Sequence, residues 1–233
     1  PHLTSLPYEA ASVVCKRSLE IFQELPVIDG DDTKVDNDKV KEMVACAMEK
    51  GINYYDTAWG YHGGNSELAM GEALSAYPRE SFYLADKFPG YDLSNMDKVE
   101  EIFEKQLEKC RVKYFDFYLF HNVCEMNIEQ YLDESHGIMD YLWKQKQNGR
   151  IKHLGFSVHG SFDVAQRFLE KYGDRMEFCQ VQLNYLDLTF QKADAKLELL
   201  THESELALMK AIDGFTDLVA GAARDRAPFR LTH

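Results

Sequence analysis

The chain has 233 residues, 45% of them hydrophobic and 28% charged, which is the balance expected of one sizeable globular domain with a buried core. Its net charge of −13 at pH 7 argues against nucleic acid or an anionic membrane as the partner, because both favour an excess of Lys and Arg. A phosphorylated cofactor stays compatible, since it needs only a local cluster of hydrogen-bond donors.

The cysteines are odd in number and include no Cys-x-x-Cys pair: Cys15, Cys46, Cys110, Cys124 and Cys179. Neither a disulfide framework nor a closed zinc site is therefore expected, and a reducing cytoplasm is the expected location. No apolar run approaches the length of a membrane helix, and the N-terminus lacks the pattern of a signal peptide. Because the chain begins with Pro1, it is compatible with a processed or partial product.

The first 37 residues show no clear strand, and VIDGDDTK within them is expected to be an acidic turn or loop. From Asp38 onward, helices and strands alternate. The first helix, over 38–50, ends at Gly51 and presents one apolar face made of Val40, Met43, Val44, Ala47 and Met48. The next elements are a strand at 52–58, a helix at 66–77 with Ser66 as its N-cap, and a strand at 81–88.

The same rhythm continues to about residue 185. A helix over 94–112, with Ser94 positioned to cap it, has one face made of Val99, Ile102, Phe103, Gln106 and Cys110. It is followed by a strand at 115–122, one longer helix at 128–148, a strand at 151–159, a helix at 162–172 capped by Ser161, and a strand at 178–185. Beyond about Thr201 the rhythm fails.

Strand–helix alternation of this kind predicts a parallel sheet with right-handed crossovers. An open doubly wound sheet and a closed barrel both satisfy it, but no Gly-x-Gly-x-x-Gly follows the first strand, and functional residues at several successive strand ends favour the barrel. The expected fold class is therefore α/β, an incomplete (β/α)8 TIM barrel with about six recognisable β/α units. It is expected to form a single domain over 1–233, with atypical ends at 1–25 and 201–233.

Four polar side chains stand at or just beyond the ends of these strands: Asp56, Tyr61, Lys87 and His121. In a parallel barrel the carboxyl ends of the strands converge on one face, where barrel active sites lie. Each residue alone has an ordinary structural explanation, as a turn, packing, surface or structural side chain. Their joint placement instead predicts a site that donates protons.

The segments DTAWGYHGGNSE, ADKF, FYLFHN, LGFS and QLNY together resemble the aldo-keto reductase family, over roughly residues 26–200. YHGGNSE resembles bacterial members that often carry an iron–sulfur tail, although the chain has no Cys cluster for one. The resemblance implies a (β/α)8 barrel that reduces a small carbonyl substrate with NADPH or NADH and has no Rossmann fold.

The resemblance also implies the chemical roles. Tyr61 would be the general acid, and the ammonium of Lys87 would lower the pKa of its phenol. Asp56 would pair with Lys87 and hold it in place. His121 would donate a hydrogen bond to the substrate oxygen and orient the carbonyl.

The cofactor contacts are implied in the same way. Ser157 and Gln182 match positions that bind the nicotinamide carboxamide, and Asp56 is expected to contact the cofactor as well. Val158 stands where the family often has Asn, which leaves one expected contact without its residue. Arg224, Arg226 and Arg230 are candidates for phosphate contacts, although arginines in a tail are usually solvated.

Trp59 and Tyr91 are expected to line the substrate pocket, because aromatic side chains provide flat apolar walls around a few polar groups. His62 is expected to be a loop residue beside Gly63 and Gly64, whose lack of a Cβ permits unusual backbone angles.

Two other functions compete with a reductase. One is a non-catalytic or truncated barrel that binds or regulates, whose exposed sheet edges would favour self-association. The other is a different barrel enzyme: a hydrolase using Asp56, or one with a metal bound through His121 and His159, for which the sequence offers no third ligand at a suitable spacing.

Overall fold

The structure, a computed structural model, describes residues 25–181. A two-stranded antiparallel hairpin, β1 (Val27–Ile28) and β2 (Asp31–Val35), precedes the main sheet. The main sheet has five parallel strands: β3 (Tyr54–Asp56), β4 (Tyr83–Phe88), β5 (Phe115–Val123), β6 (Ile151–Val158) and β7 (Phe178–Val181).

Helices connect the parallel strands. They are α1 (Asn37–Glu49), α2 (Ser66–Leu74), α3 (Val99–Lys109), α4 (Ile128–Leu132), α5 (Ile138–Gln147) and α6 (Phe162–Tyr172). Short 3-10 helices lie at Tyr61–Gly64, Arg79–Ser81, Leu93–Lys98, Glu134–His136 and Gly173–Arg175. None of the helices within residues 25–181 is both long and apolar enough to cross a membrane.

The five strands neighbour one another in the order in which they occur in the chain, β3-β4-β5-β6-β7. A doubly wound sheet reverses its strand order at a switch point, whereas a (β/α)8 barrel keeps the chain order all the way round. The described sheet is therefore the curled, five-stranded part of a barrel, which confirms the predicted fold class. The strand end beyond Val181 and the atypical ends 1–24 and 201–233 lie outside the described residues.

The core lies between the outer face of this sheet and the helices. The predicted apolar faces are confirmed: Val40, Val44 and Ala47 of α1 are buried, and so are Val99, Ile102, Phe103, Gln106 and Cys110 along α3. Each large apolar side chain buried in this way stabilises the fold by about 1.5–3 kcal/mol. This packing fixes the strand ends that carry the polar residues.

The expectation of a loop at VIDGDDTK is wrong, because this segment forms the β1–β2 hairpin. The two residues of its turn, Asp29 and Gly30, have φ angles of 53° and 71°. Asp-Gly is a preferred pair for a two-residue hairpin turn that needs both residues in the left-handed region. The hairpin was therefore readable from Asp29–Gly30, although its strands are too polar to show an apolar pattern.

The single long helix predicted over 128–148 is also wrong. It is interrupted after Leu132, where the Asp133 carboxylate accepts the Ser135 N–H at 2.9 Å. Gly137 then adopts a φ of 66°, which a right-handed helix cannot accommodate, and α5 begins at the next residue. Two segments that are each helix-forming are thus separated by a polar turn.

The predicted caps are partly correct. Gly51 follows α1 with a φ of 77°, as expected of a glycine that ends a helix. The N-cap of α2 is Asn65 rather than Ser66, and the first turn before α3 is capped by Asp92 rather than Ser94. Ser161 is the N-cap of α6, but its side chain makes no capping hydrogen bond.

Candidate active site

Three of the predicted site residues lie at the same end of neighbouring parallel strands. Asp56 is the last residue of β3, Lys87 is the penultimate residue of β4, and His121 lies near the end of β5. Tyr61 opens the 3-10 turn that follows β3. Because the strands are parallel and in register, their carboxyl ends bring these four side chains to one side of the sheet.

Lys87 and Asp56 form a buried ion pair, with side chains 1% and 0% exposed. The Lys87 ammonium donates to Asp56 Oδ1 and to the Thr57 carbonyl oxygen, the latter at 2.9 Å. Burial alone would lower the pKa of Lys87, but the neighbouring Asp56 and Tyr61 outweigh it and raise the pKa. Lys87 is therefore a fixed positive charge.

Tyr61 lies next to this charge, with the centroid of its ring 5.0 Å from Lys87 Nζ. Burial raises the pKa of Tyr61 and outweighs the lowering effect of the Lys87 ammonium. The expected contribution of Lys87 is thus present, but the net direction is upward, contrary to the expectation from sequence. The phenol therefore keeps its proton.

His121 completes the group. Its ring meets that of Tyr61 edge-on, with centroids 5.9 Å apart, and that of Tyr91 in the same way at 5.3 Å. Burial, together with the positive charge of Lys87 and with His159, lowers the pKa of His121 well below its usual value. The imidazole is consequently neutral, and its buried Nδ1 has no hydrogen-bond partner among the described residues.

A β-bulge near the end of β5 sets the direction of His121. The register with β6 shifts between Phe120 and Val123, and Asn122 within the shift has a φ of 56°. Two buried residues hold the bulge: Tyr131 donates to the His121 carbonyl at 2.9 Å, and Asn127 donates to the Asn122 carbonyl at 2.9 Å. Neither Tyr131 nor Asn127 was among the predicted site residues. The signal for Asn127 was a polar side chain directly before Ile128, where α4 begins.

The β1–β2 hairpin fixes the turn that carries Tyr61. His62, in the left-handed region with a φ of 53°, accepts the Leu25 N–H on Nε2 at 2.9 Å. Asn65 donates to the Thr33 carbonyl at 2.8 Å. His62 is therefore a structural loop residue, and the hairpin holds the turn from outside.

The structure also describes three of the four remaining residues predicted to bind the cofactor or line the substrate pocket: Ser157, Tyr91 and Trp59. Ser157 is buried near the end of β6, where its Oγ accepts the Asn122 N–H at 2.8 Å. Tyr91 lies against His121, whereas Trp59 packs with its ring 4.7 Å from Lys109 Nζ. Gln182 lies outside the described residues.

Two acidic residues beside the site were not among the predicted site residues. Glu67 and Asp86 are both 0% exposed, and they hydrogen-bond to the same Gln106 side chain. Charged residues are almost never fully buried unless they are paired, so no sequence pattern indicated that these two lie in the interior.

The alternative of a metal site has no support in the described residues. Within 25–181, no group of three or more His, Cys, Asp or Glu side chains is arranged to hold a metal ion. His121 instead lies among aromatic rings.

The sequence profile described as "Aldo/keto reductase family" matches residues 27–209. A probable aldo-keto reductase of Glycine max is 30% identical over 135 residues, which are 52% of this chain and 37% of that protein. The NADH-specific methylglyoxal reductase of Escherichia coli is 26% identical over 180 residues, which are 70% of this chain and 52% of that protein. The chain thus spans about half or less of the length of these two relatives.

A solved aldo/keto reductase structure has a similar fold. The crystal structure of an aldo/keto reductase from Brucella melitensis superposes with a TM-score of 0.56 at 24% identity, covering 72% of this chain and 61% of that one. At this identity the superposition shows the fold, and it agrees with a sheet in which each strand neighbours the next one in the chain.

Proposed function

Because the chain belongs to the aldo/keto reductase family, we propose that it reduces an aldehyde or ketone to an alcohol, with NADPH or NADH as the cofactor. The observation that carries the proposal is the arrangement of Tyr61, Lys87 and His121: a protonated phenol beside a buried ammonium, with a neutral imidazole against the phenol ring. This arrangement offers both a proton and a hydrogen-bond donor to one carbonyl oxygen.

Tyr61 is proposed as the general acid. Since burial raises the pKa of its phenol, Tyr61 holds its proton until negative charge develops on the substrate oxygen. The Lys87 ammonium then stabilises the phenolate left behind, and Asp56 holds Lys87 in place by their ion pair. The proton therefore moves from the Tyr61 oxygen to the substrate oxygen at the moment when the substrate needs it.

His121 is proposed as the residue that orients the carbonyl. The lowered pKa keeps the ring neutral, so one ring nitrogen donates and the other accepts. We assign the proton to Nε2, because the buried Nδ1 has no partner to receive an N–H within the described residues. His121 Nε2 then donates to the substrate oxygen and stabilises its developing charge.

The residues present fit a nicotinamide cofactor, which supplies the hydride when bound. Ser157 Oγ uses a lone pair on the Asn122 N–H, which leaves its hydroxyl proton to donate to a carboxamide oxygen. Asp56 Oδ2 is buried with no hydrogen-bond partner among the described residues, so it can accept from a bound polar group. Gln182 is proposed as the second carboxamide contact, and Tyr91 and Trp59 as walls of the substrate pocket.

The substrate is proposed to be a small carbonyl compound. The E. coli relative is named for reducing methylglyoxal, which supports this class. The cytoplasmic location expected from the sequence and self-association through sheet edges stay predictions.

The test is oxidation of NADPH and of NADH, followed by absorbance, with a panel of small aldehydes and ketones. We expect turnover by the chain, and about a 10²–10⁴-fold lower kcat for Tyr61→Phe, which keeps the ring and loses the proton. Turnover equal to that of Tyr61→Phe would contradict the proposal. If cofactor quenches the protein fluorescence but no substrate is turned over, the chain is a binding barrel rather than a reductase.

A further inference from the structure

Two buried carboxyl groups lie on the opposite face of β4 from the active site. Successive side chains of a strand point to opposite faces, so Asp86 faces the helices where Lys87 faces the candidate active site. Glu67 of α2 approaches from the helix side, and both side chains are fully buried. The proposed reaction uses neither residue.

Gln106 of α3 joins these carboxyls to the backbone of Lys87. Its Nε2 lies 3.0 Å from Glu67 Oε1, 2.9 Å from Asp86 Oδ1 and 3.0 Å from the Lys87 carbonyl oxygen. Asp86 Oδ1 also accepts the Lys87 N–H at 2.8 Å. The peptide groups on both sides of the Lys87 Cα are therefore tied to this cluster.

The other titratable groups around the two carboxyls come from every neighbouring element. Lys109 of α3 pairs with Glu67 Oε2, and Cys110 Sγ lies 3.7 Å from Asp86 Oδ2. The remaining groups within electrostatic reach are Lys87 of β4, Tyr118 of β5, and Tyr61 and Tyr91 on the site face. Among the described residues, Lys109 and Lys87 are thus the cations near the cluster, and each already has its own carboxylate, Glu67 or Asp56.

We propose that Glu67 and Asp86 are positioning residues for Lys87, and that the two carboxyls share a single proton held on Asp86. The proposal rests on the reductase function. As a neutral acid, Asp86 holds the Lys87 backbone without adding a charge next to its ammonium. The negative charge of the pair stays on Glu67, beside Lys109.

Electrostatics supports one shared proton. Two neighbouring carboxyls out of water cannot both ionise at a modest cost. Burial, and then repulsion from Glu67, raise the pKa of Asp86 well above its usual value. With Asp86 neutral, the cluster and the site together contain two ammonium groups and two carboxylates.

The first experiment looks for the shared proton directly, by infrared difference spectroscopy of the full chain at neutral pH. We expect the wild-type spectrum to contain a protonated carboxyl band that is absent from Asp86→Asn. Asn is the matched replacement, because its amide oxygen accepts from Lys87 N–H and its NH₂ donates toward Glu67, as the neutral acid does. Identical carboxyl regions, or an Asp86→Asn chain that does not fold, would overturn the proposal.

The second experiment follows the basic limb of the kcat–pH profile, where Tyr61 loses its proton. Glu67→Gln removes the repulsion from Glu67 but not the burial, which raises the pKa of Asp86 most, so Asp86 loses its proton at a lower pH than in the wild type and then places a negative charge beside Lys87. We expect the limb to move up by about one pH unit. Asp86→Asn should not move it, and the double variant should return it to the wild-type position. A purely structural role would lower kcat without this pattern, so the proposal is overturned if the carboxyl band of Glu67→Gln does not disappear at a lower pH than that of the wild type, or if it does and the limb stays unmoved.

The two experiments separate this inference from the function on which it rests. If the wild-type chain does not turn over, the reductase proposal fails, while the infrared band still decides whether the carboxyls share a proton. If the chain turns over but lacks the band, the inference fails and the function stands.

Discussion

The ion pair between Lys87 and Asp56 ties site geometry to stability. Two charges removed from water are costly, and their attraction offsets this cost only while both partners are present. Here the ammonium is also bonded to the Thr57 carbonyl, so its position is set by the end of β3. Removing one partner leaves a buried charge without compensation.

We expect Lys87→Met to destabilise the fold by about 3–5 kcal/mol, because it leaves the Asp56 carboxylate buried and unpaired. The double variant Lys87→Met with Asp56→Asn should recover much of this loss, since neither charge remains. Urea unfolding followed by circular dichroism measures both. A double variant no more stable than the single one would show that Asp56 is not the group left stranded.

His121 gives the stability a dependence on pH. Its pKa is lowered in the folded state, so between that value and the unfolded value near 6.5 the unfolded chain binds the extra proton. Stability is therefore fully present above about pH 6.5 and falls on acidification, by up to about 1.4 kcal/mol per pH unit until the folded-state pKa is reached.

The free energy of unfolding, measured from pH 7.5 to 5, tests this expectation. The His121→Gln variant should lose less stability over that range than the wild type, because its side chain does not titrate. Parallel curves for the two proteins would mean that the pKa of His121 is the same in the folded and unfolded states.

At the residue scale, the sequence indicated Asp56, Tyr61, Lys87 and His121 because each follows an apolar run that ends a strand. It could not indicate Asp86, because its position one residue before Lys87 reads as ordinary strand alternation. Whether a carboxyl is solvated or buried depends on which helix covers it, and that is decided by packing far along the chain.

The contact between α2 and α3 depends on one glycine. A Cβ on Gly71 would lie 2.3 Å from the Lys109 carbonyl oxygen and 2.8 Å from the Cys110 carbonyl carbon. These are backbone atoms, so the helices would have to move apart. The distance between Glu67 and Gln106 is set by this close approach.

We expect Gly71→Ala to destabilise the fold by about 1–3 kcal/mol through overpacking, even though Ala favours a helix. It should also lower kcat, because α2 carries Glu67. Gly137→Ala is the matched control: its φ of 66° makes Ala unfavourable, but no atom of another residue within 25–181 crowds the added Cβ to within 4 Å. The control should lose stability and keep its kcat; unchanged turnover in both variants would show that helix spacing does not affect the site.

At the element scale, periodicity located β3 to β6 and the helices packed on them. It joined α4 to α5 because the residues around Gly137 contain apolar side chains at helical spacing, and the left-handed glycine does not disturb that pattern. It missed β1 and β2 because a hairpin outside the core is held by its turn and by the contact of His62 Nδ1 with the Asp32 carbonyl oxygen rather than by apolar alternation.

At the scale of the whole molecule, the strand order places the proposed cofactor contacts at the ends of several strands of one sheet. We therefore expect cofactor binding to stabilise the entire described fold. The proposed contacts come from several neighbouring strand ends, and a ligand that binds only the folded state adds its binding free energy to stability. The net charge of −13 is compatible with this, because binding depends on local donors rather than on the total.

We expect NADPH to raise the unfolding midpoint, corresponding to about 2.7 kcal/mol at one hundred times its Kd. Ser157→Ala should reduce this shift, because it removes the hydroxyl proposed to bind the carboxamide. Ser161→Ala is the control, since that side chain makes no capping hydrogen bond. Thermal unfolding with and without NADPH measures all three, and equal shifts would remove Ser157 from the cofactor site.

The bulge at His121 and Asn122 separates the paired part of β5 from the loop that follows it. It absorbs one residue locally, and Asn127 anchors the following loop to the backbone of Gly90 as well as to Asn122. Asn127 thus ties the loop to the end of β5 and to Gly90, which follows β4. The pairing of β5 before the bulge does not depend on which residues form the loop. The residues between Val123 and Asn127 can therefore be exchanged while His121 and the bulge are kept, which makes this loop a place to engineer a new substrate preference without rebuilding the sheet.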